Sequence, residues 1–91
     1  MSGGNSPEFL KAAEDVRKLT ERPSNEELLN LYGYFKQATV GDCNTDRPSF
    51  YYMKDCAKWD NWNSRKGTSK EDAEKAYIEI AANLMSKYPS S

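Results

Sequence analysis

A set of aromatic and basic residues in this sequence is of the type that binds a nucleotide. Its members are Tyr32, Phe35, Lys36, Lys54, Lys58 and Tyr77. Aromatic rings stack on flat bases, and the compact ammonium group of lysine suits phosphate. If the stretch around Tyr32 is helical, Phe35 and Lys36 lie one turn from it on the same stripe, because residues three or four apart are neighbours on a helix. The spacing therefore predicts a surface that could hold a flat, phosphate-bearing ligand.

The same residues also have a purely structural explanation. Aromatic residues at helical spacing commonly pack in a core, and Tyr32 and Tyr77 could bury their rings while the hydroxyl group reaches water or a partner. A single lysine on a helix is ordinarily solvated. Trp59 and Trp62 are expected in the core and not at a ligand. From spacing alone, both explanations of the aromatic and basic set remain open.

Composition argues against catalysis. The 91 residues include no histidine, so the usual general base at neutral pH and the commonest metal ligand are both missing. Cys43 and Cys56 lack a histidine partner and are too few for a zinc site. We therefore predict a protein that is not an enzyme, with no catalytic residue, no bound metal and no cofactor.

Charge and hydropathy limit the partners and the location. Thirteen basic and fourteen acidic residues give a net charge of −1, whereas nucleic-acid binding usually requires a dominant basic face. No apolar run approaches the length that spans a bilayer or resembles a signal peptide. We predict a cytoplasmic protein with reduced thiols, no nucleic-acid partner and no stable membrane insertion. Because no long heptad seam is present, a monomer is expected.

Helix signals divide the chain into four helices and give no sheet, which predicts an all-α fold. Ser6, Pro7 and Glu8 form a typical helix start, and this first helix is expected to end at Arg22-Pro23, because proline disfavours helical geometry in the residue before it. Ser24 to Glu27 is a capping box that begins a second helix, and Gly41 is expected to end it.

The second half of the chain yields two more helices. A third helix fits within Phe50 to Arg65, in full or over its later half, with Gly67 as the stop. Thr68 to Glu71 is read as another capping box, and Pro89 closes the fourth helix. Residues 1–5 are small and polar and are expected to be disordered, and residues 6–91 are expected to form one domain.

A long co-linear set of residues resembles one known family. The matching residues are Tyr32 to Asp42, Asn44, Arg47, Pro48, Ala57 to Asp60, Trp62, Asn63, Lys66 to Ser69, Glu71 to Ala73 and Ala76 to Ile78. In order and without gaps from about Phe9 to Tyr88, the chain is similar to the acyl-CoA-binding protein family. A match of this length is far more specific than any single short motif.

The resemblance implies a four-helix up-down-down-up bundle that binds one long-chain fatty acyl-CoA thioester per monomer without catalysis. It implies an intracellular carrier and buffer of acyl-CoA, with possible transient contact with enzymes that produce or consume the thioester. The alternative left open is a helical interaction module that uses the same aromatic and basic face to meet a protein.

The resemblance also implies roles for particular residues. The nucleotide and its phosphates would be held by the group comprising Tyr32, Phe35, Lys36, Lys58 and Tyr77. Arg17 and Lys54 match further basic positions of the family, and Leu28 matches an apolar position in the acyl-chain groove.

Some positions depart from the family pattern. Phe35 stands where many members have tyrosine, so stacking is kept but a hydroxyl hydrogen bond is lost. Cys43 stands where an aliphatic residue is common. The segment from Ser49 to Cys56 is more aromatic than usual, and the preferred length of the acyl chain is therefore not predicted.

Overall fold

The computed structural model describes residues 5–90, which form four α-helices. The helices are α1 (Pro7–Val16), α2 (Asn25–Thr39), α3 (Met53–Asn63) and α4 (Lys70–Lys87). Within this range the only extended pairing is an isolated antiparallel bridge between Leu19 and Ser90. No helix in the same range is both long and apolar enough to cross a membrane. The predicted all-α fold with four helices is confirmed.

Serine side chains begin three of the four helices. The Ser6 hydroxyl accepts from the Phe9 N–H at 3.2 Å, which satisfies one of the free donors at the start of α1. At α2 the predicted capping box is present. The Glu27 N–H donates to the Ser24 hydroxyl at 3.2 Å, and the Ser24 N–H donates to the Glu27 carboxylate at 2.8 Å.

The predicted capping box from Thr68 to Glu71 is wrong by one residue. The N-cap of α4 is Ser69, whose hydroxyl accepts from the Asp72 N–H at 3.0 Å. Thr68 belongs to the preceding turn, because its N–H donates to the Arg65 carbonyl at 3.0 Å and its own carbonyl accepts from the Gln37 side chain at 2.7 Å. The helix therefore begins after this turn is complete.

The predicted end of α1 at Arg22-Pro23 is also wrong. The helix ends at Val16, six residues before Arg22, and the chain then turns. Leu19 pairs with Ser90, and the Thr20 N–H donates to the Pro89 carbonyl at 2.9 Å. These contacts with the end of the chain supply the backbone hydrogen bonds that a longer helix would have made.

The two other boundaries lie close to those predicted. Gly41 follows α2 with a φ angle of 103°, a left-handed conformation that glycine adopts without strain, and this confirms the predicted end of that helix. The third helix occupies Met53–Asn63, inside the predicted range, and Gly67 follows it with a φ angle of 94°.

The start of the described chain is fixed to the bundle. The Asn5 side chain donates to the Ala38 carbonyl at 3.0 Å and to the Glu74 carboxylate at 2.7 Å, and the Ser6 N–H donates to the same carboxylate at 3.1 Å. The composition predicts disorder for residues 1–5. Residues 1–4 lie outside the described range, and Asn5 is held in place.

Helix α2 packs against both α3 and α4, while α1 packs against α4. The core cluster contains Phe9, Ala12, Leu31, Ala38, Ala73, Tyr77, Ala81 and Leu84. The contact between α2 and α3 is especially close at Gly33, where an added Cβ would lie 2.9 Å from the Asn61 side-chain oxygen and 3.0 Å from its carbonyl oxygen. Glycine at this position lets the two helices that frame the site come together.

Candidate ligand-binding site

A cavity of about 540 Å³ opens between α2 and α3. Its lining combines apolar and cationic side chains: Arg22, Asn25, Leu28, Leu29, Tyr32, Met53, Lys54, Ala57 and Lys58. Cavities that bind small organic molecules are roughly 300–1,000 Å³. The size and the mixed lining make this cavity the candidate ligand-binding site.

Helical spacing explains how each wall of the cavity is built. Leu28 and Tyr32 are four residues apart on α2, and Lys54 and Lys58 are four residues apart on α3. Each pair therefore lies on one face of its helix, and the two faces meet across the cavity. The Lys58 ammonium lies 5.5 Å from the centre of the Tyr32 ring, within cation–π distance. The arrangement presents an aromatic face and a positive charge side by side.

The phenol of Tyr32 is held in its neutral form. Partial burial raises its pKa above the ordinary value, and the nearby negative charge of Asp55 raises it further. A tyrosine hydroxyl is already protonated at neutral pH, and the raised pKa keeps it so in more alkaline solution, where it can still donate a hydrogen bond to an oxygen or nitrogen acceptor of a ligand.

Phe35 and Tyr77 do not line this cavity. Together with Phe9 they form an aromatic cluster, with ring centres 5.7 Å apart for Phe9 and Phe35, 5.0 Å for Phe9 and Tyr77, and 6.0 Å for Phe35 and Tyr77. Phe9 is fully buried and Tyr77 is 4% exposed. Burial raises the pKa of Tyr77, and the positive charge of Arg17 partly offsets the rise. Arg17 is thus electrostatically coupled to this cluster and is not part of the cavity lining.

Lys36 also lies outside the cavity lining. Its ammonium group sits 4.7 Å from the centre of the Trp62 ring. Trp62 is 5% exposed and donates from its indole N–H to the Gly41 carbonyl at 2.8 Å, so its predicted place in the core is confirmed. The predicted core position of Trp59 is wrong, because this residue is only half-buried and donates from its indole N–H to the Thr45 carbonyl at 3.1 Å in the loop before α3.

The sequence-predicted residues therefore fall into separate groups. Leu28, Tyr32, Lys54 and Lys58 come together in the cavity. Phe35 and Tyr77 pack with Phe9, Arg17 is coupled to Tyr77, and Lys36 covers Trp62.

Several cavity residues were not predicted: Arg22, Asn25, Leu29, Met53 and Ala57. Helical spacing could have found four of them: Asn25 and Leu29 precede Tyr32 by seven and three residues, Ala57 follows Lys54 by three, and Met53 precedes Ala57 by four. Arg22 had no such signal, because its position depends on the early end of α1.

The segment before α3 is held by a thiol. Cys56 is buried, and its Sγ lies 3.4 Å from the Pro48 carbonyl oxygen and 3.3 Å from that of Ser49, to which the thiol donates. Cys43 is buried as well, and neither cysteine is in a disulfide bond. Across residues 5–90, no group of three or more His, Cys, Asp or Glu side chains could hold a metal ion.

Comparison with known proteins identifies a single family. The family described as Acyl CoA binding protein matches residues 6–81 of this chain. Acyl-CoA-binding protein 2 of Saccharomyces pastorianus is 50% identical over 82 residues, which cover 90% of this chain and 94% of that protein. The crystal structure of Oryza sativa acyl-CoA-binding protein 2 superposes with a TM-score of 0.84 at 44% identity, covering 88% of this chain and 89% of that one. The crystal structure of ACBP from Moniliophthora perniciosa superposes with a TM-score of 0.85 at 42% identity, covering 92% of this chain and 83% of that one.

Proposed function

This chain belongs to the acyl-CoA-binding protein family, and from that premise we propose that it carries long-chain fatty acyl-CoA thioesters, one per monomer. One observation carries the proposal. The cavity between α2 and α3 places the cations of Lys54 and Lys58 and the ring of Tyr32 beside an apolar wall. An acyl-CoA has the matching parts, since it combines phosphates and a flat base with a long hydrocarbon chain.

The nucleotide end of the ligand is assigned to the aromatic and basic residues. Tyr32 would stack on or hydrogen-bond the base, and Lys58 would meet a phosphate, because the Lys58 ammonium already lies against the Tyr32 ring. Lys54 lines the same cavity and would add a second phosphate contact. Lys36 lies one turn beyond Tyr32 on α2, and its long stem would let the ammonium leave the Trp62 ring for a phosphate.

The aromatic cluster has a different part in the proposal. Tyr77 is 4% exposed and presents little surface to a ligand, while Phe35 is half-buried with its ring packed on Phe9. The hydroxyl end of Tyr77, coupled to the charge of Arg17, is the part that would reach a ribose or phosphate oxygen. The rest of each ring would act by fixing α2 and α4, which carry the site.

The acyl chain is assigned to the apolar wall of the cavity. This wall includes Leu28, Leu29, Met53 and Ala57. Each methylene group that leaves water contributes about 0.8 kcal/mol, so affinity should rise with chain length until the wall is covered. The phosphate contacts supply a salt-sensitive part of the binding energy.

The proposal extends to the setting in which the protein works. It is a carrier without catalytic activity, and the absence of histidine from the sequence supports this. It acts in the cytoplasm, a reducing compartment that suits its two unpaired thiols. It acts as a monomer that meets acyl-CoA-producing and acyl-CoA-consuming enzymes only transiently.

Calorimetry tests the proposal with three ligands below their micelle concentrations: palmitoyl-CoA, free coenzyme A and palmitate. We expect palmitoyl-CoA to bind with one-to-one stoichiometry and far more tightly than either part, because only the whole thioester occupies both the cationic and the apolar walls. Equal and weak binding of all three would overturn the proposal.

A further inference from the structure

An arginine that follows α3 joins this helix to α2 beyond the cavity. The Arg65 Nη2 group donates to Asn30 Oδ1 and to Asn61 Oδ1, each at 2.9 Å. Its guanidinium also lies 4.3 Å from the centre of the Tyr34 ring, within cation–π distance. Asn30 and Tyr34 belong to α2, and Asn61 belongs to α3. We call these four residues the Arg65 network.

Helices α2 and α3 run in the same direction past each other. Tyr32 faces Lys58, and four residues further along each helix Lys36 faces Trp62. The cavity opens between the earlier turns of the two helices. The Arg65 network joins the helices beyond the cavity, through residues that follow Lys58 by three and seven positions. The helices are thus open at one end of their contact and fastened at the other.

The side-chain oxygen of Asn61 is the link between the network and the cavity. An added Cβ at Gly33 would lie 2.9 Å from this Oδ1, so the atom that accepts from Arg65 occupies the space that the glycine leaves open. Gly33 follows Tyr32 directly, and Asn61 lies about one turn after Lys58. The approach of the two helices at this contact therefore determines how Lys58 lies against the Tyr32 ring.

Stability alone does not explain an arginine at position 65. Its two hydrogen-bond acceptors are uncharged amides, and within residues 5–90 its Nε is buried without a hydrogen-bond partner. A buried donor without a partner destabilises the folded state. An apolar side chain would fill the space without this cost, but it could not hold two oxygens in fixed positions, as a planar guanidinium does.

We propose that Arg65 is a positioning residue, which acts through Asn61 to set where Lys58 meets the ligand. The side chain of Arg65 is not part of the cavity lining. It fixes the spacing of α2 and α3, so a phosphate meets the Lys58 ammonium already in place beside Tyr32, and less order has to be imposed on binding. The inference rests on the proposed function, because it takes the ligand to be a coenzyme A thioester.

Calorimetry with palmitoyl-CoA tests the inference on two variants, Arg65→Met and Asn61→Ala. The first removes the donor together with its charge, and the second removes one acceptor without changing any charge. We expect each variant to weaken binding by about fivefold, and the two substitutions together to cost little more than either alone, because they break one network. Circular dichroism confirms that the helices are intact.

Arg47→Met is the matched control. It also removes an arginine beside α3, but the bidentate pair that Arg47 forms with Asp60, at 2.9 Å for both hydrogen bonds, does not involve α2. The control should bind palmitoyl-CoA as the parent does. Parental affinity of Asn61→Ala would overturn the inference, because loss of charge would then explain any effect of Arg65→Met. An equal loss in the control would overturn it as well.

A double-mutant cycle separates positioning from a general loss of stability or charge. In the Lys58→Ala background, Arg65→Met should change the affinity by less than about twofold, because no ammonium is left to position. A loss as large in this background as in the parent would contradict the positioning role. If Arg65→Met does not fold, the same cycle with Asn61→Ala decides.

Nuclear magnetic resonance of the ligand-free protein gives a measurement that does not depend on the proposed function. The Tyr32 ring should shift the side-chain proton resonances of Lys58, because the ammonium lies over the ring. Arg65→Met and Asn61→Ala should return these resonances towards those of an ordinary exposed lysine. Unchanged resonances, with a parent that binds palmitoyl-CoA, would remove the positioning role and leave the carrier function. Altered resonances, with a parent that does not bind it, would do the reverse.

Discussion

Two regions of the molecule each contain a tyrosine, but its exposure differs between them. The regions are the cavity between α2 and α3 and the aromatic cluster of Phe9, Phe35 and Tyr77. In the cavity, Tyr32 is only partly buried and carries the Lys58 ammonium against its ring. In the cluster, Tyr77 is 4% exposed and packs against two phenylalanine rings. Both tyrosines lie on a helix and both have a raised pKa. Their packing partners, and not their residue type, separate a candidate ligand surface from a core.

Because the two regions differ in burial, we expect substitutions in one to change the stability of the fold and substitutions in the other to change the affinity for the ligand. Side chains of the aromatic cluster should determine the free energy of unfolding, because removing them leaves a void among α1, α2 and α4. Side chains of the cavity should determine ligand affinity, because they already face water. Four substitutions test this separation.

Phe9→Ala should have the largest effect. The ring is fully buried and contacts both other rings of the cluster, so its loss should lower the free energy of unfolding by about 3–5 kcal/mol. Urea unfolding monitored by circular dichroism measures the change. Phe50→Ala is the matched control, because that ring is 72% exposed and its removal should change stability little. Similar losses for both variants would refute the assignment of the cluster as the core.

Gly33→Ala should have the next largest effect. Alanine ordinarily stabilises a helix relative to glycine, but here its methyl group would meet the Asn61 side-chain and backbone oxygens at 2.9 and 3.0 Å. Pushing α2 away from α3 should cost about 1–3 kcal/mol and should also weaken ligand binding, because these helices frame the cavity. Thermal unfolding and calorimetry measure the two effects.

Ala82→Gly provides the comparison for Gly33→Ala. Ala82 is an exposed position on α4, and glycine there should cost about 1 kcal/mol through helix propensity alone. A stabilising effect of Gly33→Ala would mean that the two helices separate freely, and the close approach would then not define the cavity.

Lys58→Ala should weaken the binding of acyl-CoA by about tenfold, which corresponds to about 1.4 kcal/mol, with little change in the unfolding transition. The reason is that Lys58 is exposed, its ammonium lies against the Tyr32 ring, and it is not among the residues of the core cluster. Calorimetry with palmitoyl-CoA measures it. Lys75→Ala is a suitable control, since Lys75 is an exposed lysine of α4 that does not line the cavity. Equal affinity of the Lys58 variant and the parent would withdraw the phosphate role of this lysine.

The smallest effect should come from Glu27→Gln, and it depends on pH. The pKa of Glu27 is lowered from 4.5 to about 2, chiefly by the hydrogen bond from Lys87 and then by those from the Ser24 backbone and Tyr88. A lowered pKa stabilises the folded state above pH 4.5, and this contribution is lost as the pH falls towards 2. The melting temperature of the parent should therefore exceed that of the variant at pH 6, and the difference should shrink as the pH is lowered through this window.

A difference that stayed constant from pH 6 to pH 2 would show that the carboxylate charge of Glu27 is not involved. Lys87→Met removes the largest cause of the lowered pKa and should reduce the pH dependence in the same direction. Because these residues tie the start of α2 to the end of α4 outside both regions, neither variant should change the affinity for free coenzyme A.

Local signals predicted the parts of the fold that depend on neighbouring residues. The capping box at Ser24 and the glycine at position 41 were predicted correctly because each acts within one helical turn. The predicted end of α1 is wrong because that end is set by pairing of Leu19 and Thr20 with the last residues of the chain, about seventy positions away. A sequence window that covers one helix does not contain this information.

The same limit applies to the site. Helical spacing grouped Tyr32 with Phe35 and Lys36, and α2 does bring them to neighbouring positions. Which of them meets the cavity depends on what packs opposite each one. Phe9 covers Phe35, Trp62 lies under Lys36, and only Tyr32 lies beside Lys58. The resemblance to the family supplied the ligand class, and tertiary packing decided which side chains line the cavity.

The buried thiol of Cys56 can report how often the segment before α3 opens. Alkylating reagents attack only an accessible thiolate, and Cys56 is 5% exposed while it donates to the Pro48 and Ser49 carbonyls. Each modification event must therefore wait until the segment before α3 detaches from the bundle. The alkylation rate of Cys56 therefore rises with the frequency of these openings. A ligand that bridges α2 and α3 will make the openings rarer and will slow the alkylation.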